Sequence, residues 1–458
     1  MGAKKYELDM TKGSVLKGIL LFTIPLIMTS LLQLLYNAAD LVVVSRFAGS
    51  NAMASVGATG SVSNLIVNLA VGLSLGSGVV VARSFGARDN EKISKSVHTS
   101  VFLSIIIGIA TSILGVAFSR PLLSLMGTPE GEVLDGAVLY MRIYFLGIPA
   151  SLVYNFASSV LRAVGDTKRP LYILSTTGIV NVVLNLVFVI KFHMGVAGVA
   201  IATAIANILS MIAVLAVLVR SEASYRLFIS KIRLHKEELV MILKIGIPAG
   251  IQSSFFSLAN SLIQSVVNTF GAAAIAGNAA GMNIEGFVYA AMNSFHQTTV
   301  TAVSQNYGAG KKERINKTIW TALLCVTITG IILGGLSVIF ARQLLGIYIT
   351  DSAEALSYGR IRVIITGAPY FLCGIMDVLA GALRGFGSST SAMVNSFFGA
   401  CVFRVLWVFL LLPIYHTFGM IFLGQSVSWV VVIVMHLVVL AFVKKRAMAK
   451  IGEELSGS

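Results

Sequence analysis

Three carboxylic acids, Asp40, Glu285 and Asp377, each fall inside a long apolar run, while the other acidic residues lie in loops or near run ends. A charged side chain at the centre of a membrane helix costs on the order of 2.5–3.5 kcal/mol on insertion scales, so each of the three calls for a partner or a task. Gln33, Tyr36 and Asn37 precede Asp40 at helical spacings and form one polar stripe with it. Asn181 and Asn185 share a face of another run, as do Asn64 and Asn68. If brought beside Asp40, the first pair of amides can hydrogen-bond its carboxyl. An interior carboxyl ringed by amides can carry a proton or hold a hard cation such as sodium through oxygen ligands. Either makes a cation-coupling site.

Glu285 begins a second stripe, with Tyr289, Met292 and His296 on its face. Asp377 shares a face with Tyr370 and Arg384. Glu285 and Asp377 are thus further candidates for a proton or sodium, read as two unpaired acids, and His296 is expected to be a hydrogen-bonded packing residue. Arg404 is read as the single buried cation, salt-bridged to one of the acids. Tyr36, Tyr154, Phe256, Phe287 and Tyr289, with Met292, Gln33, Asn37 and Asn68, are expected to line a substrate cavity. Aromatic faces attract cations, and methionine adapts to varied shapes. Pro25 and Pro248 interrupt helical hydrogen bonding and are candidate bend points.

The elements that would position these residues are membrane helices. Of the 458 residues, 56% are hydrophobic and 12% charged, more apolar than a soluble core requires. Runs long enough to span a bilayer, which takes roughly 20 residues, lie at 16–44, 53–82, 93–118, 140–161, 171–190, 196–219, 239–270, 273–304, 319–345, 361–383, 393–414 and 419–443. The expected fold is therefore an all-α integral membrane protein with twelve transmembrane helices. Met1–Lys17 is polar, and the run after it outlasts a signal-peptide core, so no removable leader is expected. The net charge of +15 is not gathered into one basic face, which argues against nucleic acid. Basic clusters instead occupy alternate loops: Lys4/Lys5/Lys12, Arg83/Arg88/Lys92/Lys95, Lys168/Arg169, Arg226/Lys231/Arg233/Lys236, Lys311/Lys312/Arg314/Lys317 and Lys444/Lys445/Arg446. The positive-inside rule then puts both termini in the cytoplasm of a multi-pass cell (inner or plasma) membrane protein.

The chain also repeats itself. Ile24-Pro25 returns as Ile247-Pro248, Phe85-Gly86-Ala87 as Tyr307-Gly308-Ala309, and Leu161-Arg162-x-x-Gly165 as Leu383-Arg384-x-x-Gly387. Six helices separate the copies, so equivalent helices run in the same direction, as two pseudo-symmetric six-helix bundles (6+6). The expected division is a cytoplasmic segment 1–14, an N-lobe 15–222, a linker 223–238, a C-lobe 239–443 and a tail 444–458. Gly72-x-x-x-Gly76-x-Gly78 and Gly330-x-x-x-Gly334-Gly335 read as close-packing surfaces, since they lack the strand-to-helix context of a phosphate loop. Cys325, Cys373 and Cys401 share no metal-ligand spacing and read as packing residues. No Ser/His or metal-ligand constellation gathers at one depth, so no catalytic residues and no enzyme are expected.

Pro25, Tyr36-Asn37-x-x-Asp40, Arg83-x-Phe85-Gly86-Ala87, Leu161-Arg162-x-x-Gly165-Asp166-Thr167, Gln305-x-Tyr307-Gly308-Ala309-Gly310 and Asp377-x-x-x-Gly381-x-Leu383-Arg384-Gly385 together resemble the multidrug and toxic compound extrusion (MATE) family, bacterial type. The resemblance covers nearly the whole chain. It implies a polyspecific exporter driven by proton or sodium entry, with no cofactor beyond that ion. It assigns Asp40 and Asn181 to cation coupling, and Glu285 and Asp377 match acids that other members use in the second lobe. The chain departs from the pattern at Asn185, where some members carry a second acid. The expected function is cation/organic-cation antiport by alternating access, acting as a monomer on small lipophilic cationic or neutral substrates. A flippase for lipid-linked cell-envelope precursors, or an exporter of one metabolite, is the alternative. The presence of only one buried cation argues against the flippase, a channel would not exchange, and a major-facilitator carrier would carry a different loop after its second helix.

Overall fold

In hydrocarbon each backbone N–H and C=O must find its partner within its own segment, so apolar runs of this length close into helices. The computed structural model describes residues 6–350 and 352–456, and among these the chain is helical with no strand. Lys4 and Lys5 lie outside the described residues, as does the side chain of Asn64. Twelve long helical stretches follow one another: α1 (Val15–Val43), α2 (Ser50–Gly86), α3 (Asn90–Leu125), α4 (Glu132–Ala163), α5 (Lys168–Leu186), α6 (Gly195–Val219), α7 (Lys236–Asn268), α8 (Ala272–Gly308), α9 (Lys312–Ile339), α10 (Ala353–Gly367 then Tyr370–Gly385), α11 (Ser389–Leu411) and α12 (Phe418–Ser456).

Ten of the described helices are long and apolar enough to cross a membrane, and α10 makes eleven when its two bent pieces count as one span. Its bend of 48° falls at Pro369, which has no N–H to donate. The remaining stretch, α8, has 37 residues but carries Asn278, Glu285, His296, Gln305 and Asn306 among its buried side chains. Its polarity marks an interior helix rather than a short one. The expected ninth run is broken at Phe340, and its end forms a separate short helix, Ala341–Gly346.

Glycines set how closely these helices approach. A Cβ on Gly330 would stand 2.6 Å from the Phe371 backbone and one on Gly334 2.3 Å from the Gly367 carbonyl, so α9 and α10 meet backbone to backbone. Gly335, the third glycine of that motif, faces open space. The three cysteines are free and buried.

The repeated motifs turn out to be helix endings. Gly165 N bonds Arg162 O at 2.9 Å and Asp166 N bonds Leu161 O at 2.9 Å; Gly387 and Ser388 repeat this with Arg384 O and Leu383 O at 2.8 and 2.9 Å. Both glycines have positive φ, +92° and +84°, as this left-handed cap requires. Arg88 and Gly310 close α2 and α8 in the same way, at φ 58° and 67°. Beyond the first of these turns, Asp166 accepts from the backbone N–H of Arg169 at 3.1 Å and pairs with its guanidinium at 3.3 Å. Burial outweighs these contacts and pushes the Asp166 carboxyl up to about 6.

The chain divides into two compact units, one of residues 1–8 and 28–246, the other of 9–27 and 247–458. Of the three breaks in the chain, the one after Leu8 precedes α1, and the other two fall inside a helix, a few residues from Pro25 in α1 and beside Pro248 in α7. The first part of α1 therefore packs with the second unit, where Thr23 Oγ1 meets Thr298 Oγ1 of α8 at 2.7 Å. The first part of α7 packs with the first unit, where a Cβ on Gly76 of α2 would stand 2.4 Å from Ile242 O and 2.9 Å from Gly246 N. By the spacing of the internal repeat, Thr23 corresponds to Gly246 and Gly76 to Thr298, so the same crossing is made twice.

Candidate functional site

In the first unit, α1 and α5 are fixed against each other by a ring in a notch. Tyr36 lies where a side chain on Gly178 would be: a Cβ there would sit 1.9 Å from its ring. The Tyr36 hydroxyl donates to Ser175 O at 3.1 Å. One turn further along α1, and two along α5, Asp40 accepts a hydrogen bond from the Asn185 amide. Asn185 also reaches Asn181 Oδ1 at 3.4 Å, and Asn181 reaches Thr203 Oγ1 of α6 at 3.4 Å. Asn185 Oδ1 is buried and accepts no hydrogen bond. The cluster thus presents one carboxyl, an unused amide oxygen, a second amide and a hydroxyl, an oxygen-rich donor set suited to a proton or a hard cation. Among the described residues no three His, Cys, Asp or Glu side chains gather as a metal site, so carboxyl and amide oxygens are the available ligands.

In the second unit the two acids have different surroundings. Gly277 and Gly281 let α8 approach α10, since a Cβ on Gly277 would stand 2.4 Å from Ala355 O and one on Gly281 2.8 Å from the Arg362 stem. Arg362 then reaches Glu285 with Nε to Oε1 at 2.9 Å and Nη2 to Oε2 at 2.7 Å. Thr366 Oγ1 donates to Oε1, and Arg362 Nη1 donates to Asn278 Oδ1. Glu285 is therefore paired, contrary to the reading of two unpaired acids. Asp377 fits that reading better: its Oδ2 is buried without a hydrogen-bond partner. Its backbone carbonyl meets His296 Nδ1 at 2.7 Å, while His296 Nε2 meets Arg384 Nη1 at 2.8 Å. Arginine can only donate, so Nε2 accepts and the proton lies on Nδ1; His296 is the hydrogen-bonded packing histidine expected. Arg384 also donates to Gln252 Oε1 at 2.8 Å, and Gln252 to Ser396 at 2.9 Å.

Arg404 is not the single buried cation. Arg362 and Arg384 are buried as well, and Arg404 donates to Ser428 Oγ at 2.9 Å rather than forming the expected salt bridge. Arg362 stands one residue inside the expected tenth run, where a charge reads as a run end, and so escaped notice. Thr203, Asn278, Thr366 and Gln252 belong to the same networks; each is polar within an apolar helix, which is the signal that could have found them.

The proposed cavity residues separate into two groups. Tyr154 is packed in the first unit's core with its hydroxyl on Pro170 O at 3.3 Å, and Met292 is fully buried in the second unit's core. Neither presents a surface to a ligand here, because each fills space between helices. Phe256 is half-buried against the core that holds Met292. Gln33, Asn37, Phe287 and Tyr289 are exposed, and Tyr36 and Asn68 are half-buried.

The family model MatE matches this chain twice, over residues 25–187 and 248–410. Among curated proteins, the chain is similar to the probable multidrug resistance protein YoeA of Bacillus subtilis, 28% identical over 85% of each chain. It is also similar to the probable multidrug resistance protein NorM of Thermotoga maritima, 25% identical over 90% of this chain and 88% of that one. Among solved structures, a MATE protein in a bent conformation superposes with a TM-score of 0.87 over 98% of this chain and 99% of its own, at 22% identity.

Proposed function

Because the chain belongs to the MatE family, we propose that it is a secondary active multidrug exporter of the bacterial plasma membrane, exchanging protons or sodium for small lipophilic cationic or neutral organic molecules. The observation that carries this reading is the Asp40 cluster: a carboxyl within a membrane helix, held by one amide donor, beside an amide oxygen that accepts nothing. Such a group can load and release a cation at little cost in reorganised partners. A unit charge moving down a membrane potential gains about 2.3 kcal/mol per 100 mV, which is the driving force available to substrate export. Loading of Asp40 from outside biases the two units between alternating states, and both termini lie in the cytoplasm, as the basic loops require. The relatives' names support the substrate class.

The flippase alternative lost weight on the count of one buried cation, and three arginines are in fact buried. Each is engaged by protein groups, Arg362 by Glu285, Arg384 by His296 and Gln252, and Arg404 by Ser428. Antiport therefore stays the preferred reading on the engagement of those cations rather than on their number.

The test is uptake of a fluorescent organic cation into proteoliposomes under an imposed proton gradient or an imposed sodium gradient, for wild type and Asp40→Asn. Accumulation under one gradient, lost in a variant that still folds, supports the reading and names the ion. Undiminished accumulation in Asp40→Asn removes Asp40 from coupling, and no accumulation under either gradient transfers the case to a flippase or a narrow exporter.

A further inference from the structure

Glu285 and Asp377 match acids assigned alike by family resemblance, yet their settings differ. Both oxygens of Glu285 are occupied by the Arg362 fork and Thr366. The remaining Arg362 nitrogen is taken by Asn278, whose amide in turn donates to Gln264 Oε1 at 2.7 Å. The guanidinium lies over the Phe422 ring, 4.7 Å from its centroid. Its stem passes Gly281, where any side chain would collide with it. The four polar members of the cluster nearest the fork, Asn278, Glu285, Arg362 and Thr366, are all buried. A planar fork matched to a carboxylate, stacked on an aromatic face and threaded past a glycine, is held by shape as well as by charge.

We propose that Arg362 is a tethered counter-cation which occupies the Glu285 carboxylate permanently, so that Glu285 positions α8 against α10 and exchanges no coupling ion in this chain. The inference rests on the antiport reading for its meaning, and its physical content is independent of it. Without the guanidinium, the two Glu285 oxygens, Thr366 Oγ1 and Asn278 Oδ1 form an oxygen cage of the kind that takes a hard monovalent cation. Arg362 is then the built-in occupant of that cage, and ion exchange in the second unit falls to Asp377, whose Oδ2 has no hydrogen-bond partner.

The experiment is a double-variant cycle read in two ways. In purified protein, the rise in melting temperature with added sodium chloride over equimolar choline chloride is compared for wild type, Arg362→Met, Glu285→Gln and the double variant. In proteoliposomes, gradient-driven uptake is followed for the same set. Removing one member of a buried pair strands a charge, whereas replacing both is close to neutral. Accordingly Glu285→Gln alone should lose uptake by about tenfold or more, and the double variant should return to within about twofold of wild type. Arg362→Met should gain a sodium-dependent rise that wild type does not show to the same extent and that the double variant lacks. Loss in the double variant of a sodium response present in wild type would overturn the proposal, and so would no gained response in Arg362→Met. Should wild type show no uptake, the antiport reading fails while the melting comparison still decides the tethered cation. Should the methionine variants not fold, Arg362→Lys serves: it keeps a tethered charge and should gain no sodium response, and a gain there would equally overturn the idea.

Discussion

Gly178→Ala tests whether the Tyr36 ring fixes the Asp40 cluster. In the structure an added Cβ would lie 1.9 Å from one ring carbon and 2.3 and 2.4 Å from two others, where ordinary van der Waals contact begins at 3.4 Å. The difference, 3.4 less 1.9, means that ring and helix must part by about 1.5 Å. Such a shift carries the hydroxyl out of reach of Ser175 O, now at 3.1 Å, losing a hydrogen bond worth about 1 kcal/mol. Overpacking of the α1–α5 seam adds about 1–3 kcal/mol. The expected destabilisation is thus about 2–4 kcal/mol, read as a lowered melting midpoint in detergent with a parallel fall in gradient-driven uptake, because Asp40 and Asn185 lie on the two helices that separate. Tyr36→Leu in the same chain removes the obstructing ring edge and should recover most of the midpoint. Gly57→Ala and Gly60→Ala are the controls, since a Cβ at either meets nothing within 4 Å among the described residues, and both should melt within about 0.5 kcal/mol of wild type. A Gly178→Ala protein as stable and active as those controls would refute the argument that the notch sets the spacing of the cluster.

Within the cluster, Asn185→Ala should reduce uptake more than Asn181→Ala, because Asn185 bonds the carboxyl directly and Asn181 only through it; equal effects in the transport assay would count against that order. Gly76→Ala should impair folding, since its Cβ would enter the Ile242 carbonyl at 2.4 Å, and a normal yield of monodisperse protein would contradict the close approach of α2 and α7. Asp166 gives a pH dependence. Its folded carboxyl titrates near 6 against an ordinary 3.8, so the folded state prefers the protonated form. Stability from this group is therefore greatest below 3.8, falls as pH rises through 3.8 to 6, and is lower by about 3 kcal/mol above that window. Asp166→Asn keeps an acceptor for the Arg169 N–H without the buried charge, so the difference in melting midpoint between variant and wild type should grow from pH 4 to pH 7; a constant difference would show that Asp166 does not titrate in that range.

The positions of the spans were legible because lipid demands long apolar runs, and α8 was found by its length despite its polar residues. Helical spacing also placed Asp40 with Asn37, and Asn181 with Asn185, on shared faces. Spacing along one helix does not say which other helix it meets, and there the reading was weaker. Glu285 and Asp377 looked equivalent until α10 brought Arg362 to one and left the other's Oδ2 without a hydrogen bond. Tyr154 and Met292 looked like cavity residues because aromatic and thioether side chains suit a core and a ligand equally well. The bend in α10 was visible in principle at Pro369, whereas Pro25 and Pro248 marked where α1 and α7 change units without saying which unit each part joins.

That crossing says something about ancestry. Two identical six-helix chains that trade the first part of their first helix would be a domain-swapped dimer, each completing the other's bundle. Here both partners lie on one polypeptide, and the exchanged pieces, 9–27 and 236–246, are traded between its two halves. A chain severed in the connection between α6 and α7 yields two fragments that each carry a piece of helix belonging to the other, so the fragments should assemble when made together and fail when made apart. The two halves have nonetheless diverged where it matters most: one holds an acid beside amides, and the other holds an acid bound to its own arginine.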